Sequence, residues 1–191
     1  SNNASRLERG VGVYASAGFG FNDWLYLTLT ARNDWSSTLP LENNSFFYPS
    51  ASVSAILTEK LIPTGSFLSF LKVRAGYALA GNDTGPYLIN GFETGNRLGN
   101  PGLKAELTSE LEFGFDARFF NNRLGFDFSW YDRITSDQII EVQLAPSTGY
   151  TRQVTNLGEV ENKGIELGVN MIPLKGRNWS WELNVMYTQN D

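Results

Sequence analysis

Residues 106–133 read ELTSELEFGFDARFFNNRLGFDFSWYDR, and they carry the clearest structural pattern in the chain. In its first arm the apolar residues occupy odd positions and the charged residues even positions. This period of two is typical of a β-strand with one apolar and one polar face. Asn121-Asn122 predicts a tight turn, because asparagine tolerates the left-handed conformation of hairpin turns. A second arm repeats the alternation through Trp130. The stretch therefore predicts a hairpin with about 12 residues per arm, against about 5–6 in an average strand.

The same alternation recurs along the chain and brings the predicted total to eight long strands. The other six cover residues 9–21, 24–36, 46–57, 69–80, 163–172 and 179–189. Connections after every second strand are long, notably 81–104 and 135–162, the latter with a strand-like piece at Gln138 to Leu144. The predicted fold is all-β, an antiparallel meander of about eight long strands. Its alternating loop lengths are typical of an outer-membrane barrel.

Aromatic residues next to the short turns support a membrane location. They would form a girdle at one membrane interface, and they are Phe19, Phe21, Trp24, Phe119, Trp179 and Trp181. The alternative is a soluble β-sandwich whose apolar faces pair into a core. That alternative predicts that Leu111, Phe113 and Phe115 pack against a second sheet of the same chain.

Composition excludes several classes of function. The formal net charge is −5 with no basic stripe, which argues against binding to nucleic acid. The chain has no cysteine and no histidine, so disulfides, thiolate chemistry and the commonest general base are all missing. No apolar run reaches the roughly 18 residues of a transmembrane helix. An enzyme is therefore the weakest hypothesis, and no catalytic, metal or cofactor residues are predicted.

Six motifs, in order, resemble those of the SusC/RagA family. They are NDWSS (33–37), FYPS (47–50), FLKVRAGY (70–77), GN (81–82), LGNPGLKAE (98–106) and NLGEVENKGIE (156–166). The family comprises TonB-linked outer-membrane transporters of Bacteroidetes. The resemblance implies a section of a 22-stranded transmembrane β-barrel, import of a glycan or oligopeptide, and TonB and a SusD-like surface lipoprotein as partners.

The resemblance also implies how much of such a transporter these residues cover. Residues 1–191 are expected to be part of one TonB-dependent receptor β-barrel domain, late in the barrel. The plug, the segment that contacts TonB and the remaining strands are not among them, so we expect a fragment. A section of a passive porin and a secreted carbohydrate-binding β-sandwich module remain alternatives. A plug encoded upstream would exclude the porin.

We predict a different environment for each of the two faces of the strands. The polar face is expected to face the barrel lumen and includes Lys72, Arg74, Glu110, Glu112, Asp116 and Arg118. The apolar face is expected to face lipid and includes Leu111, Phe113, Phe115, Leu167, Val169, Leu183 and Val185. We interpret the carboxylates as a wet wall paired with basic side chains of neighbouring strands. A glycoside-hydrolysing pair at Glu110 and Glu112 is the disfavoured alternative.

Loop residues are the candidates for substrate contact. They are Asn82, Asp83, Tyr87, Phe92, Tyr150 and Arg152, since aromatic rings stack on sugars and loops commonly carry binding residues. The alternative is that they pack on other loops or on the lipoprotein lid. A calcium loop at 82–85 is disfavoured because the spacing is too short and carboxylate-poor.

Overall fold

The computed structural model describes residues 7–60, 67–84, 88–89 and 96–191. Its eight long strands are β1 (Gly10–Phe21), β2 (Leu25–Ser36), β3 (Ser45–Ile56), β4 (Leu68–Asn82), β6 (Glu106–Phe119), β7 (Leu124–Ser136), β10 (Glu159–Lys175) and β11 (Ser180–Asn190). Three short strands are β5 (Arg97–Leu98), β8 (Ile139–Gln143) and β9 (Arg152–Asn156). The described residues include no helix long and apolar enough to cross a membrane.

The long strands form one sheet in the order β1-β2-β3-β4-β6-β7-β10-β11, with every neighbouring pair antiparallel. The predicted all-β meander of eight long strands is therefore confirmed. We call the end of the sheet that carries the shorter connections the turn end. The opposite end carries connections 37–44, 83–105 and 137–158, and we call it the loop end.

The register aligns residues of the same kind across the sheet. Leu27 lies opposite Phe19 and Val53, whereas the adjacent Thr28 lies opposite Gly18 and Ser52. Because successive side chains of a strand point to opposite faces, this alignment gives the sheet one apolar face and one polar face.

The turn between β6 and β7 lies where Asn121-Asn122 predicted it, but it is wider. Phe120, Asn121 and Asn122 have φ angles of 54°, 56° and 63°. A left-handed conformation costs an L-residue such as phenylalanine about 1–2 kcal/mol. Phe120 has compensating contacts, since its N–H donates to Phe67 O at 2.8 Å and the two rings lie 6.4 Å apart.

Two predicted boundaries are wrong around β10. The strand begins at Glu159 rather than at residue 163, and it continues past the predicted turn at Pro173 to Lys175. Its register with β11 shifts between Met171 and Leu174. Such a bulge accommodates Pro173, because proline has no N–H to give to the ladder.

The buried apolar core lies beneath the loops rather than within the long sheet. Leu39, Leu103 and Val154 are buried together, against the partly buried Phe46, Leu88, Ile89, Ala105 and Ile139. The short strands form a second sheet in the order β5-β9-β8. The piece at 138–144 was predicted, and it is β8. The neighbouring strand β9 was not predicted.

Asparagine side chains join the three loops to one another. Asn43 Nδ2 donates to Leu103 O at 3.1 Å, and Asn100 Nδ2 donates to Val154 O at 3.1 Å. Asn156 Nδ2 donates to Lys104 O at 2.9 Å. These bonds give backbone carbonyls of the loops a hydrogen-bond donor. The described parts of the three loops therefore form one packed unit, which we call the loop cap.

Candidate functional site

The six residues predicted to face the lumen all lie on the polar face of the sheet. Lys72 is in register with Asp116, and Glu110 and Glu112 lie on the same face of β6. The register therefore brings the predicted carboxylates and cations together on β4, β6 and β7. That this face meets the barrel lumen stays a prediction.

Arg74 connects three strands at the centre of this face. Its Nε donates to Glu112 Oε1 on β6 at 3.3 Å. Its Nη2 crosses β6 to reach β7, donating to Ser129 Oγ at 2.6 Å and Asp127 Oδ1 at 3.4 Å. Each bond to an ionised partner is stronger than a neutral one, and the planar guanidinium holds several at once. Arg74 thereby ties β4, β6 and β7 together.

The path of Arg74 across β6 requires glycine at position 114. A Cβ there would lie 2.7 Å from Arg74 Cζ and 2.7 Å from the carbonyl oxygen of Phe128. The second of these atoms belongs to the backbone and has no freedom to rotate away. The glycine is thus part of the ion-pair network.

We expect Gly114→Ala to destabilise the folded protein by about 1–3 kcal/mol, because the added methyl overpacks the crossing and displaces Arg74. The matched control is Gly76→Ala on the same face, where a Cβ would meet Ser52 Cβ at 3.6 Å, an ordinary contact. Urea unfolding of the membrane-inserted protein measures both variants. Equal urea midpoints for Gly114→Ala and Gly76→Ala would show that a methyl group at position 114 does not displace Arg74.

Other ion pairs extend the network along the polar face. Arg133 Nε donates to Glu110 Oε2 on the neighbouring strand at 2.6 Å. Arg118 Nη2 lies 3.1 Å from Asp116 Oδ2 on its own strand, so this pair runs along β6 rather than between strands. The predicted pairing of acidic with basic side chains is thus present, although the Arg118–Asp116 pair forms within a strand.

The opposite face of the sheet is apolar and open. The seven residues predicted to face lipid all lie on it. Phe113 remains 46% exposed and Val185 49% exposed. Aromatic pairs cross the strands, with the ring centroids of Phe113 and Trp130 5.8 Å apart. An apolar surface this large needs a covering partner or an apolar solvent.

In the described parts of the chain, no second sheet covers this apolar face. The only other sheet there is β5-β9-β8, which belongs to the loop cap. Leu111 and Phe113 accordingly stay exposed. The prediction of the β-sandwich alternative, that these residues pack inside a two-sheet core, is wrong.

Aromatic residues border the apolar face at both ends. The six predicted girdle residues all lie at the turn end. Towards the loop end the apolar face carries Trp35, Phe47, Tyr77 and Tyr187. Beyond them lies a charged group, in which Lys163 Nζ is 2.6 Å from Glu161 Oε1 and 3.6 Å from Asp132 Oδ2. The apolar face is therefore bounded by aromatic residues at each end and by charges at the loop end.

Asp83 ties the end of β4 to the loop after β2. Its Oδ2 accepts hydrogen bonds from the hydroxyls of Ser36 and Thr38, the latter at 3.1 Å. Both hydroxyl residues are buried. Asn82 Nδ2 donates to Glu106 Oε2 at 3.1 Å. The two predicted substrate residues thus both have structural partners.

A cavity of about 240 Å³ lies beside Asp83, on the polar face at the loop end. We call it the rim pocket, and its lining includes Gly10, Gly12, Arg32, Asp34, Phe46 and Asp83. Arg32 Nε donates to Asp34 Oδ1 at 2.9 Å, and the Tyr48 hydroxyl donates to Asp34 Oδ2. Asn82 lines the pocket as well. The pocket thus offers charged, amide and aromatic groups within one small volume.

The remaining predicted substrate residues lie away from the rim pocket or outside the described residues. Arg152 Nη1 is paired with Glu141 Oε1 at 3.0 Å within the loop cap. Tyr150 is half-buried in the connection between β8 and β9. Tyr87 and Phe92 lie outside the described residues. Among the described residues, no group of three or more acidic side chains is arranged to hold a metal ion.

The geometry of the sheet agrees with a comparison to protein families. The family described as "TonB dependent receptor-like, beta-barrel" matches residues 1–191. The chain belongs to this family. Members of this TonB-dependent receptor family are outer-membrane proteins, so the chain is an outer-membrane protein. The family is one of receptors and transporters rather than of enzymes.

Curated relatives confirm the predicted SusC/RagA resemblance. TonB-dependent receptor P26 of Formosa agariphila is 31% identical over 189 residues, which is 90% of this chain and 19% of the relative. TonB-dependent receptor SusC of Bacteroides thetaiotaomicron is 28% identical over 191 residues, covering 88% of this chain and 19% of SusC. The chain therefore spans about a fifth of the length of these relatives.

Solved structures of the TonB-dependent receptor family show the same architecture. The RagAB peptide importer in its "open-open" state matches with a TM-score of 0.87 and 26% identity. The match covers 100% of this chain and 23% of that chain. The sheet described above thus has the shape of a section of that importer.

Sequence reasoning missed several residues of the polar face and the rim pocket. Arg133, Asp127 and Ser129 on β7 complete the network around Arg74 and Glu110. Their alternation with Phe126, Phe128 and Trp130 was a sufficient signal to include them. Arg32 and Asp34 alternate with apolar residues in the same way. Their meeting with Asp83 depends instead on how β4 ends, and the local sequence of β2 contains no signal for it.

Proposed function

We propose that the chain forms part of the barrel wall and the external loops of a TonB-dependent importer of a nutrient, either a glycan or an oligopeptide. The observation that carries the proposal is the two-faced sheet. An open apolar face and an ion-paired polar face occur together in a single layer, as expected of a wall between lipid and water. Membership of the receptor family supports the same conclusion. In this role the chain contributes no catalysis.

The dimensions of the apolar face support its placement in the bilayer. From Leu25 to Trp35 the strand advances ten residues, about 33 Å along its own direction. At the usual barrel tilt of about 40°, this corresponds to a height of about 25 Å, which equals the apolar band of outer-membrane barrels. The aromatic residues at both ends would then lie at the two interfaces. The loop end would face the cell exterior.

The polar face suits a hydrated solute. Its charges are largely paired, as in Arg74 with Glu112 and Arg133 with Glu110. Paired charges attract neither cations nor anions strongly, yet they keep the wall wetted. In the whole protein, we expect a barrel of 22 strands with an N-terminal plug, in which this wall surrounds the solute path.

Two partners follow from the proposed role. A SusD-like surface lipoprotein would act as a lid over the external loops, and TonB would drive displacement of the plug. The loop cap offers the lid a packed surface, because its loops share the buried residues Leu39, Leu103 and Val154. The relative SusC and the structural neighbour RagAB support this assignment.

An uptake experiment in the native organism tests the proposal. We expect deletion of the gene to abolish growth on at least one oligosaccharide or oligopeptide as sole nutrient, and loss of TonB to have the same effect. Complementation with the full-length gene should restore growth. Uptake that needs the gene but not TonB would identify a passive pore.

A further inference from the structure

The rim pocket exists because strand β4 leaves its neighbour β3 at the loop end. Pairing between the two strands stops at Ser50 with Ala78. Past that point β4 lies over the polar face, since a Cβ at Gly81 would be 2.5 Å from the ring of Phe46. The hydrogen bonds of Asp83 to Ser36 and Thr38 hold the strand end there. The pocket is therefore a cleft between the sheet and the end of β4.

Glycine residues keep the floor of this cleft open. Among the described residues, the atom nearest to a Cβ at Gly10 would be Trp35 O at 3.9 Å. At Gly12 a Cβ would instead collide with the Asp34 carboxylate, which lies over that glycine. The floor is thus backbone at Gly10, and the wall is the pair of Arg32 and Asp34. A side chain at position 10 would fill the cleft.

The pocket presents both donors and acceptors to a ligand. Arg32 has five N–H groups, of which Nε donates to Asp34, and its side chain is 51% exposed. Both hydrogen bonds that Asp83 accepts from described residues end on Oδ2. Its Oδ1 can therefore accept a hydrogen bond from a ligand. Asn82 donates its Nδ2 to Glu106 and keeps its carbonyl oxygen. Phe46 adds an apolar ring beside these groups.

We propose that the rim pocket binds one ring of a neutral saccharide. A hydroxyl group both donates and accepts, so neighbouring ring hydroxyls match a guanidinium next to carboxylate and amide oxygens. The apolar face of the ring packs on the aromatic side chain. The volume of about 240 Å³ suits a single ring rather than a long segment. This proposal rests on the import function proposed above and names its substrate class.

The charges of the pocket disfavour an anionic ligand. Arg32 is paired with Asp34, and Asp83 adds a further carboxylate beside them. An anionic ligand would therefore meet two carboxylates, and the only guanidinium in the described lining is already paired. A free amine would be attracted to Asp83 but repelled by Arg32, which lines the same pocket. Hydroxyl groups carry no charge to desolvate and can use the donor of Arg32 and the acceptor of Asp83 together.

Binding measurements on the full-length transporter in detergent test the proposal. The probes are an array of neutral and acidic oligosaccharides and a matched array of oligopeptides. The variant Gly10→Leu places a side chain in the pocket. The control is Gly18→Leu on the same strand and face, where a Cβ would have no described atom within 4 Å. We expect the wild type to bind neutral oligosaccharides, Gly10→Leu to weaken that binding at least tenfold, and Gly18→Leu to change it less than twofold.

Three results would overturn the inference in different ways. Equal affinities of the Gly10→Leu and Gly18→Leu variants for the saccharide would remove the rim pocket as the site while leaving saccharide import intact. Selective binding of oligopeptides or of acidic sugars, lost in Gly10→Leu, would keep the site and overturn the ligand class. TonB-independent growth in the uptake experiment would reject the import function itself, which separates its failure from failure of the pocket.

Discussion

Replacing Phe113 with arginine is expected to destabilise the inserted protein by about 2–4 kcal/mol. Phe113 lies near the middle of β6, whose bounds are Glu106–Phe119, and it remains 46% exposed on the apolar face. In a bilayer, its side chain would meet the hydrocarbon centre, where a guanidinium loses its hydration without gaining a partner. The variant also loses the contact between Phe113 and Trp130. Urea unfolding from lipid vesicles measures the change in free energy.

A pair of adjacent residues on β11 gives the matched control for the Phe113→Arg prediction. Val185 and Asn184 are both exposed, but they lie on opposite faces. Val185→Arg should destabilise the protein in the same sense as Phe113→Arg, whereas Asn184→Arg should change its stability by less than about 0.5 kcal/mol. If Phe113→Arg inserts fully and unfolds at the wild-type urea concentration, the apolar face does not meet lipid.

Truncating Leu103 to alanine is expected to cost about 2–5 kcal/mol, confined to the loop cap. Leu103 is 0% exposed and packs with Leu39 and Val154, which belong to two other loops. A cavity there removes contacts from all three loops at once. Hydrogen exchange at residues 96–105 and 137–158 should therefore accelerate by at least an order of magnitude. The amides in the middle of β6 and β7 should keep their protection, because these two strands contribute no residue to this core.

Leu41→Ala is the control for the Leu103→Ala prediction, since Leu41 lies in the same loop as Leu39 but is 90% exposed. The substitution deletes the same side-chain atoms, but at Leu41 these atoms are in contact with solvent rather than packed in a core. Amide hydrogen exchange in the loop cap should therefore stay at the wild-type rate. Equal exchange rates in the two variants would mean that the three loops fold independently. Loss of protection throughout the sheet in Leu103→Ala would mean that cap and wall unfold as one unit.

The long strands were predictable from sequence because one physical rule determines them. A strand between two different solvents must alternate, and the segment around Phe113 and Glu112 alternates without interruption. The same rule assigned Lys72 and Arg74 to the polar face. It could not show that Arg74 crosses β6, since that path depends on the absence of a side chain at Gly114 on a neighbouring strand.

The loop cap and the rim pocket were beyond sequence reasoning for a different reason. Strand β9 (Arg152–Asn156) has little alternation of its own, and it is ordered by β5, β8 and the carbonyls that Asn100 and Asn156 bind. Asn82 and Asp83 were selected as loop residues that contact substrate. Their partners Glu106, Ser36 and Thr38 are distant in sequence, so only the folded chain places Asp83 against β2.

Under the proposed import function, the shared core of the loop cap would limit how the receptor acquires a new specificity. A single external loop taken from a relative would arrive without the residues that its neighbours bury against it. Replacing residues 83–105 alone, for example, would remove Leu103 and the carbonyl that Asn43 binds. Under the proposed function, the unit that exchanges between receptors would therefore be the set of three loops, 37–44, 83–105 and 137–158. Successful recombination between receptors should exchange all three together, with crossover points inside the strands.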